Sequence, residues 1–203
     1  PLSSGKIEMK YMTAKEEDIL TNSNYINNGT VIDKLLKSLI VSPIDFNDLL
    51  IGDKNAVLVA SRILGYGLEY SFNYRNPNTG EDEQVTVDLT EANDKELDAS
   101  LIVDGRNEFE FILPVSKIQV TFKLLTHGDE QKIQKELKGL KKITQDATPD
   151  LTTRMKHTIT SVDGNTEMNF IRKFVDNEFL ARDAREFRKY IRKIQPDVDL
   201  SFT

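Results

Sequence analysis

The sequence contains no cysteine and no tryptophan, and it has only two histidines among 203 residues. Without cysteine the chain can form neither disulfides nor thiolate metal sites, and it has no thiol nucleophile. His127 follows a threonine in a predicted turn and is interpreted as exposed, and His157 lies in a polar run without a partner. Neither has a second histidine at a zinc-binding spacing, so we predict no metal and no cofactor.

Long apolar runs and an excess of positive charge are also missing. No apolar stretch approaches the roughly 20 residues that a membrane-spanning helix needs. The formal net charge of −6 argues against a general phosphate-binding surface, so nucleic acid could bind only through a local basic patch. We therefore expect a soluble, intracellular protein with no membrane partner.

No set of residues in the sequence forms a catalytic centre. Gly65-Tyr66-Gly67 lacks the following helix and the spacing of a dinucleotide-binding loop. Asp53 and Asp183 each stand at a predicted helix start, where hydrogen bonds from backbone N–H groups account for an aspartate. No nucleophile, base and oxyanion donor come together. We predict no catalytic residues, no small-molecule substrate and no enzyme activity.

Apolar periodicity predicts a strand and three helices near the start of the chain. Residues 7–11 alternate as a half-buried strand does, and Thr13 with Glu16 forms a capping box that begins a helix. Thr30 and Asp53 are predicted to begin the next two helices.

The rest of the chain is predicted to alternate between short strands and helices. We predict, in order, a hairpin of residues 68–72 and 85–89 around a turn at 76–80, a strand ending near Pro114, a strand at 118–122, a helix from Gly128 to about Ile143, a short strand and turn at 159–164, helices at 166–177 and 183–194, and a terminal strand through Val198, Leu200 and Phe202.

A phrase near the start of the chain returns in altered form. The stretch MKYMTAKEE at 9–17 is matched by FKLLTHGDE at 122–130, a shift of 113 residues. A later block matches at a shift of 130, which pairs Asp53 with Asp183 and Arg62 with Arg192. Because both blocks keep the same order of strand and helices, we predict a duplicated unit.

The predicted fold is α+β, with two pseudo-repeated units that each contain a strand, about three helices and a short antiparallel hairpin. The first unit takes residues 1–105 and the second takes 106–203, with an extra segment near 143–165. Phe72 is followed by a return strand and its match Phe202 is not. We therefore expect the C-terminal hairpin to be incomplete, with the missing strand supplied by further chain or by a partner.

The most unusual local feature is a basic helix. Its cations are Arg182, Arg185, Arg188, Lys189, Arg192 and Lys193. One interpretation is a solvated outer face, partly balanced by Asp183 and Glu186. The other is a partner-binding surface for an acidic protein or, with less support, for a phosphate backbone.

Three stretches of the chain form a recognisable pattern: the repeated K-[YL]-[ML]-T-x-x-[ED]-E, LLIGDKNAVLVASRILGYGLEY at 49–70, and FLARDAREFRKYIRKIQPDVDL at 179–200. In these stretches the chain resembles the baseplate hub and hub-assembly proteins of T-even-type contractile-tailed bacteriophages. The resemblance also implies a Cys-x-x-Cys knuckle in the hairpin. This chain has Asn76-Pro77-Asn78-Thr79-Gly80 there, so no zinc is expected at that turn.

The resemblance implies a non-enzymatic late structural protein that binds other tail and baseplate hub proteins. It would be found in the host cytoplasm during assembly and then in the virion tail baseplate. Two alternatives stay open. The protein could be a transient tail-assembly chaperone that is absent from the mature virion, or a nucleic-acid-binding module that uses the basic helix at 182–193.

Overall fold

The computed structural model describes residues 6–103, 105–143 and 149–201. In these residues the chain forms eight α-helices: α1 (Ala14–Thr21), α2 (Ser23–Asn27), α3 (Val31–Leu39), α4 (Ile51–Tyr66), α5 (His127–Ile143), α6 (Asp150–Thr158), α7 (Met168–Asn177) and α8 (Ala181–Ile194).

Seven short strands accompany the helices in the same residues: β1 (Glu69–Arg75), β2 (Asp82–Asp88), β3 (Asn93–Asp94), β4 (Phe109–Ile112), β5 (Gln119–Phe122), β6 (Ile159–Val162) and β7 (Val198–Asp199). They pair antiparallel in three small sheets, β1 with β2, β3 with β7, and β4 with β5 and β6. The predicted α+β class is therefore confirmed.

The chain divides into two compact units, and it enters each of them more than once. We call residues 6–44, 52–95 and 197–201 the first unit, and residues 45–51 and 96–196 the second unit. The sequence analysis divides the chain differently, at residue 106, because it compares two similar stretches of sequence. That division stays a prediction.

Helices α1, α2 and α3 pack together in the first unit. Helix α3 buries Leu35, Leu36 and Leu39, whose spacing places them on one side of the helix. Lys54 of α4 forms an ion pair with Asp33 of α3, with the Nζ and Oδ1 atoms 2.7 Å apart. The first unit thus has its own apolar core, and a half-buried ion pair links α3 to α4.

The second unit has a larger core, formed by the three-stranded sheet and the helices that follow it. Its centre is aromatic: the ring of Phe122 in β5 lies 4.9 Å from that of Phe187 in α8, edge to face. Phe111 in β4 stacks on Tyr190 of α8 at 4.8 Å. These contacts fix α8 against the sheet.

The two copies of the repeated phrase make the same contacts. In the first unit Lys10 lies 3.0 Å from Glu16, which also accepts hydrogen bonds from the backbone and hydroxyl of Thr13. In the second unit Lys123 lies 2.7 Å from Asp129, which accepts the same two bonds from Thr126.

Both carboxyl groups of these repeated contacts are buried, and each lies in the first turn of a helix that follows a lysine-bearing segment. The hydrogen bonds from Ser38, Thr13 and Lys10 hold the pKa of Glu16 well below its usual range. The shared geometry supports an architectural reading of the phrase, and duplication of the whole unit stays a prediction.

Several predicted boundaries differ in the structure. Residues 7–11 supply only an isolated bridge between Met9 and Ile40 instead of a full strand. Helix α4 begins at Ile51, so Asp53 lies within its first turn and is not the residue before it. Helix α6 was not predicted, because its sequence DLTTRMKHT has few apolar residues to mark a period.

Both histidine interpretations were wrong. His127 is only 4 % exposed, because the ring of Phe46 covers it at 4.7 Å and its backbone N–H donates to the carbonyl of Leu49. His157 has a partner, since its Nε2 atom lies 2.8 Å from a carboxylate oxygen of Glu136 in α5. In each case the partner comes from a distant segment that sequence spacing does not reveal.

The terminal strand is paired within the chain. Val198 and Asp199 of β7 pair with Asp94 and Asn93 of β3, so β7 is not a lone strand at these two residues, and the incomplete hairpin stays a prediction. Phe202 and residues 144–148 of the predicted extra segment lie outside the described residues. Among the residues described, no helix combines the length and the apolar character that spanning a bilayer requires.

Candidate docking surface

Helix α8 is strongly amphipathic, and its inner side is locked into the second unit. Ala184, Phe187 and Ile194 are buried, at the three- and seven-residue spacing of one helical side. The helix ends at Ile194, and Pro196 follows two residues later, where a helix cannot easily continue.

The start of α8 is held by a buried aspartate. Asp183 accepts the backbone N–H of Val115 at 2.7 Å and that of Ser116 at 3.0 Å, both in the turn between β4 and β5. Burial raises the pKa of Asp183, but these hydrogen bonds outweigh it and hold the pKa below its usual value. Asp183 therefore accepts hydrogen bonds from the turn between β4 and β5, although the sequence pattern favoured a cap for its own helix.

The predicted partner-binding residues all lie on α8. Successive helical residues are rotated by about 100°, so the six cations fall within an arc of about 140° on the side away from the core. We call this set the cationic face: Arg182, Arg185, Arg188, Lys189, Arg192 and Lys193.

Five members of the cationic face are exposed, and the sixth, Arg188, is half-buried. The Nε atom of Arg188 donates to the carbonyl of Ala184 at 3.2 Å, which holds its side chain along the helix. Lys189 lies 2.8 Å from Glu186, an exposed pair that contributes little to stability. The positive side chains thus form one continuous surface.

A depression of about 290 Å³ adjoins the cationic face, and we call it the α8 depression. Its lining includes the arginines Arg154, Arg188 and Arg192 together with apolar side chains from separate segments, Ile51, Leu125, Met155 and Ile191. Arg188 and Arg192 belong to both features, so the charged surface and the partly apolar depression are continuous.

Arg154 is the residue of this surface that the sequence did not single out. Its guanidinium donates to both oxygens of Glu130 in α5, at 2.6 and 2.9 Å, and to Asp150 in α6. The hydrogen bonds that Arg154 donates to Glu130 come first among the causes that raise its pKa, so this side chain stays charged. No local spacing signals the contact between Arg154 and Glu130, because these two residues are 24 positions apart.

A second, larger depression of about 690 Å³ lies beside the start of α5. Lysines and acids are mixed in its lining, and the ion pair between Lys123 and Asp129 occupies part of it. In the described part of the chain, no three histidine, aspartate or glutamate side chains are grouped so that they could hold a metal ion. The surface that stands out chemically is therefore the one at α8.

Comparison with known families decides the class of protein. The sequence model described as T4 bacteriophage base plate protein matches residues 1–195, a span that includes α8 and the depression beside it. The chain belongs to this base plate protein family. No curated protein and no solved structure matches the chain.

Membership in the base plate family confirms the resemblance that the sequence suggested and identifies a structural protein of the virion tail baseplate. Such a protein meets other baseplate proteins in the assembled particle. For a base plate protein, a continuous charged surface with an adjoining partly apolar depression is a candidate place of contact.

Proposed function

We propose that the protein is a non-enzymatic hub or inner-baseplate component that binds neighbouring tail proteins, and that the cationic face of α8 docks an acidic neighbour. It would meet these partners in the host cytoplasm during assembly and remain in the finished baseplate. The observation that carries the proposal is the segregation of charge on α8, with six cations against two carboxylates over its length.

Three physical features support docking at this surface. The inner side of α8 is fixed by aromatic packing, so its outer side is presented rigidly and loses little conformational entropy on binding. The planar guanidinium group of arginine can donate two parallel hydrogen bonds to one carboxylate, and four of the six cations are arginines. The α8 depression adds apolar surface beside the charge, the combination found at protein interfaces.

Charge reversal tests the proposal during tail assembly. We expect the double variant Arg185→Glu with Arg192→Glu to fold normally but to enter baseplates at about a tenth of the normal level or less, because like charges would face the acidic partner. Lys135→Glu with Lys138→Glu, two exposed lysines on α5 with the same change in charge, is the matched control. Quantitative mass spectrometry of purified baseplates gives the readout.

Normal incorporation of the α8 variant would contradict docking at the cationic face. The same measurement on mature particles separates the alternative of a transient chaperone, which predicts that the protein is present in assembly intermediates and missing from virions. A nucleic-acid-binding role predicts salt-dependent binding of the purified protein to DNA or RNA that the α8 variant loses.

A further inference from the structure

The hairpin of β1 and β2 presents an aromatic face to solvent. Tyr70, Phe72 and Tyr74 alternate along β1 and share one side of it, and their exposed fractions are 42 %, 38 % and 43 %. Val87 and Val85 lie opposite Tyr70 and Phe72 on β2. Three neighbouring aromatic rings at this exposure form an apolar patch of the kind that marks interaction sites.

This hairpin forms a sheet of two strands only, and such a sheet is marginally stable by itself. Contacts on both sides hold the hairpin: on the reverse side the hydroxyls of Ser71 and Thr86 are 2.7 Å apart, and on the aromatic side Arg62 of α4 lies over the ring of Tyr70 at 5.5 Å. The contact with Arg62 shows which chemistry the face accepts, an arginine side chain stacked on an aromatic ring.

The hairpin is also strongly acidic. Residues 69–88 contain five carboxylates and one arginine, a formal charge of −4. Glu81, Asp82 and Glu83 follow one another where the turn leads into β2, close to Tyr74, which pairs with Glu83. Two such hairpins face to face would bring these acids together, so a partner of opposite charge is favoured over a symmetric pairing.

The same chain carries a surface with the complementary properties. Helix α8 contains six cations and two carboxylates, a formal charge of +4, and the α8 depression beside it offers apolar side chains. The hairpin offers aromatic rings beside carboxylates, and α8 offers arginines beside an apolar depression.

We propose that the β1–β2 hairpin of one copy docks on the cationic face and α8 depression of a second copy. In this arrangement an aromatic ring of β1 enters the α8 depression, and the acids at the start of β2 pair with exposed arginines of the cationic face, Arg185 and Arg192. The inference rests on the proposed docking role of α8 and names its occupant. Because the two surfaces differ, the contact is head-to-tail, and repeated copies either close into a ring or extend as a chain.

Complementary charge reversal in the purified full-length protein tests this contact. The hairpin variant is Asp82→Lys with Glu83→Lys, and the α8 variant is Arg185→Glu with Arg192→Glu. Sedimentation velocity over a range of concentrations at low salt measures association. We expect the natural protein to self-associate and each variant alone to do so at least about tenfold more weakly.

Mixing the two variants decides the question. In the mixture the acidic hairpin of one variant meets the basic helix of the other, and the reversed surfaces also match, so association returns. Glu17→Lys with Asp18→Lys on α1 and Lys135→Glu with Lys138→Glu on α5 are exposed controls with the same changes in charge, and both should associate as the natural protein does. Circular dichroism and the thermal midpoint confirm that each variant folds.

Two outcomes would overturn the inference: a natural protein that stays monomeric at low salt, or self-association that survives both reversals. Neither would overturn the proposed function, which is judged by entry of the α8 variant into baseplates. Conversely, restored association in the mixture together with normal incorporation of the α8 variant would support the self-contact and reject the docking role in assembly.

Discussion

Asp183 in the first turn of α8 accepts the backbone N–H of Val115 at 2.7 Å, and so ties the helix that carries the cationic face to the turn between β4 and β5. The same carboxylate accepts the N–H of Ser116 through its other oxygen. Because Asp183 is fully buried, these two hydrogen bonds replace those that its carboxylate would make with water.

Replacing this carboxylate should destabilise the second unit. Asp183→Ala removes both hydrogen bonds and leaves two N–H groups without an acceptor, which costs roughly 2–4 kcal/mol. The measurement is the urea midpoint of the full-length protein. Asp48→Ala, an exposed aspartate of the same unit, is the control and should leave the midpoint unchanged. Equal effects of the two changes would show that Asp183 does not hold α8.

Low pH should lower the stability of the fold through its buried carboxyl groups. The pKa values of Glu16, Asp129 and Asp183 are lowered in the folded chain, so below the unfolded values of about 3.9 for Asp and 4.3 for Glu the unfolded state takes up more protons. Their stabilisation is complete above those values and is lost as the pH falls through the lower folded pKa values.

We therefore expect the unfolding midpoint to fall steeply below about pH 4, and to fall less steeply in Glu16→Gln. The comparison is a series of urea melts at decreasing pH for the natural protein and the variant. Parallel curves for the two proteins would mean that Glu16 does not contribute to the acid sensitivity.

Truncating a buried aromatic side chain behind α8 should destabilise the protein more than truncating an exposed one. Phe187 is buried against the rings of Phe122, Phe111 and Phe179, and Phe187→Ala should cost about 3–5 kcal/mol because it leaves a cavity. Phe170→Ala in α7, at an exposed position, should change stability by less than about 0.5 kcal/mol. Thermal unfolding of both variants checks the contrast.

Local patterns in the sequence were sufficient for much of the fold. The hairpin around residues 76–80, the helix from residue 128 and the capping box at Thr13 were predicted, because each depends on neighbours along the chain. The pattern could not show that Tyr70, Phe72 and Tyr74 face solvent. Alternation separates the two sides of a strand but does not say which side is covered.

The features that escaped prediction depend on contacts between distant segments. His127 is buried because Phe46 lies over it, and the two are far apart in sequence. Arg154 joins the docking surface because α5 and α6 bring it to Glu130. Asp183 bonds a turn 67 and 68 residues away. The six cations were found because a single helix carries them all.

Zero-length cross-linking of purified baseplates tests the central claim most directly, since a carbodiimide joins a lysine amine to a carboxylate only where the two are in contact. Docking through the cationic face predicts that Lys189 and Lys193 become linked to carboxylates of neighbouring chains, while the exposed Lys135 and Lys138 of α5 do not. Absence of the protein from baseplates and their assembly intermediates, or links from α5 with none from α8, would contradict the account.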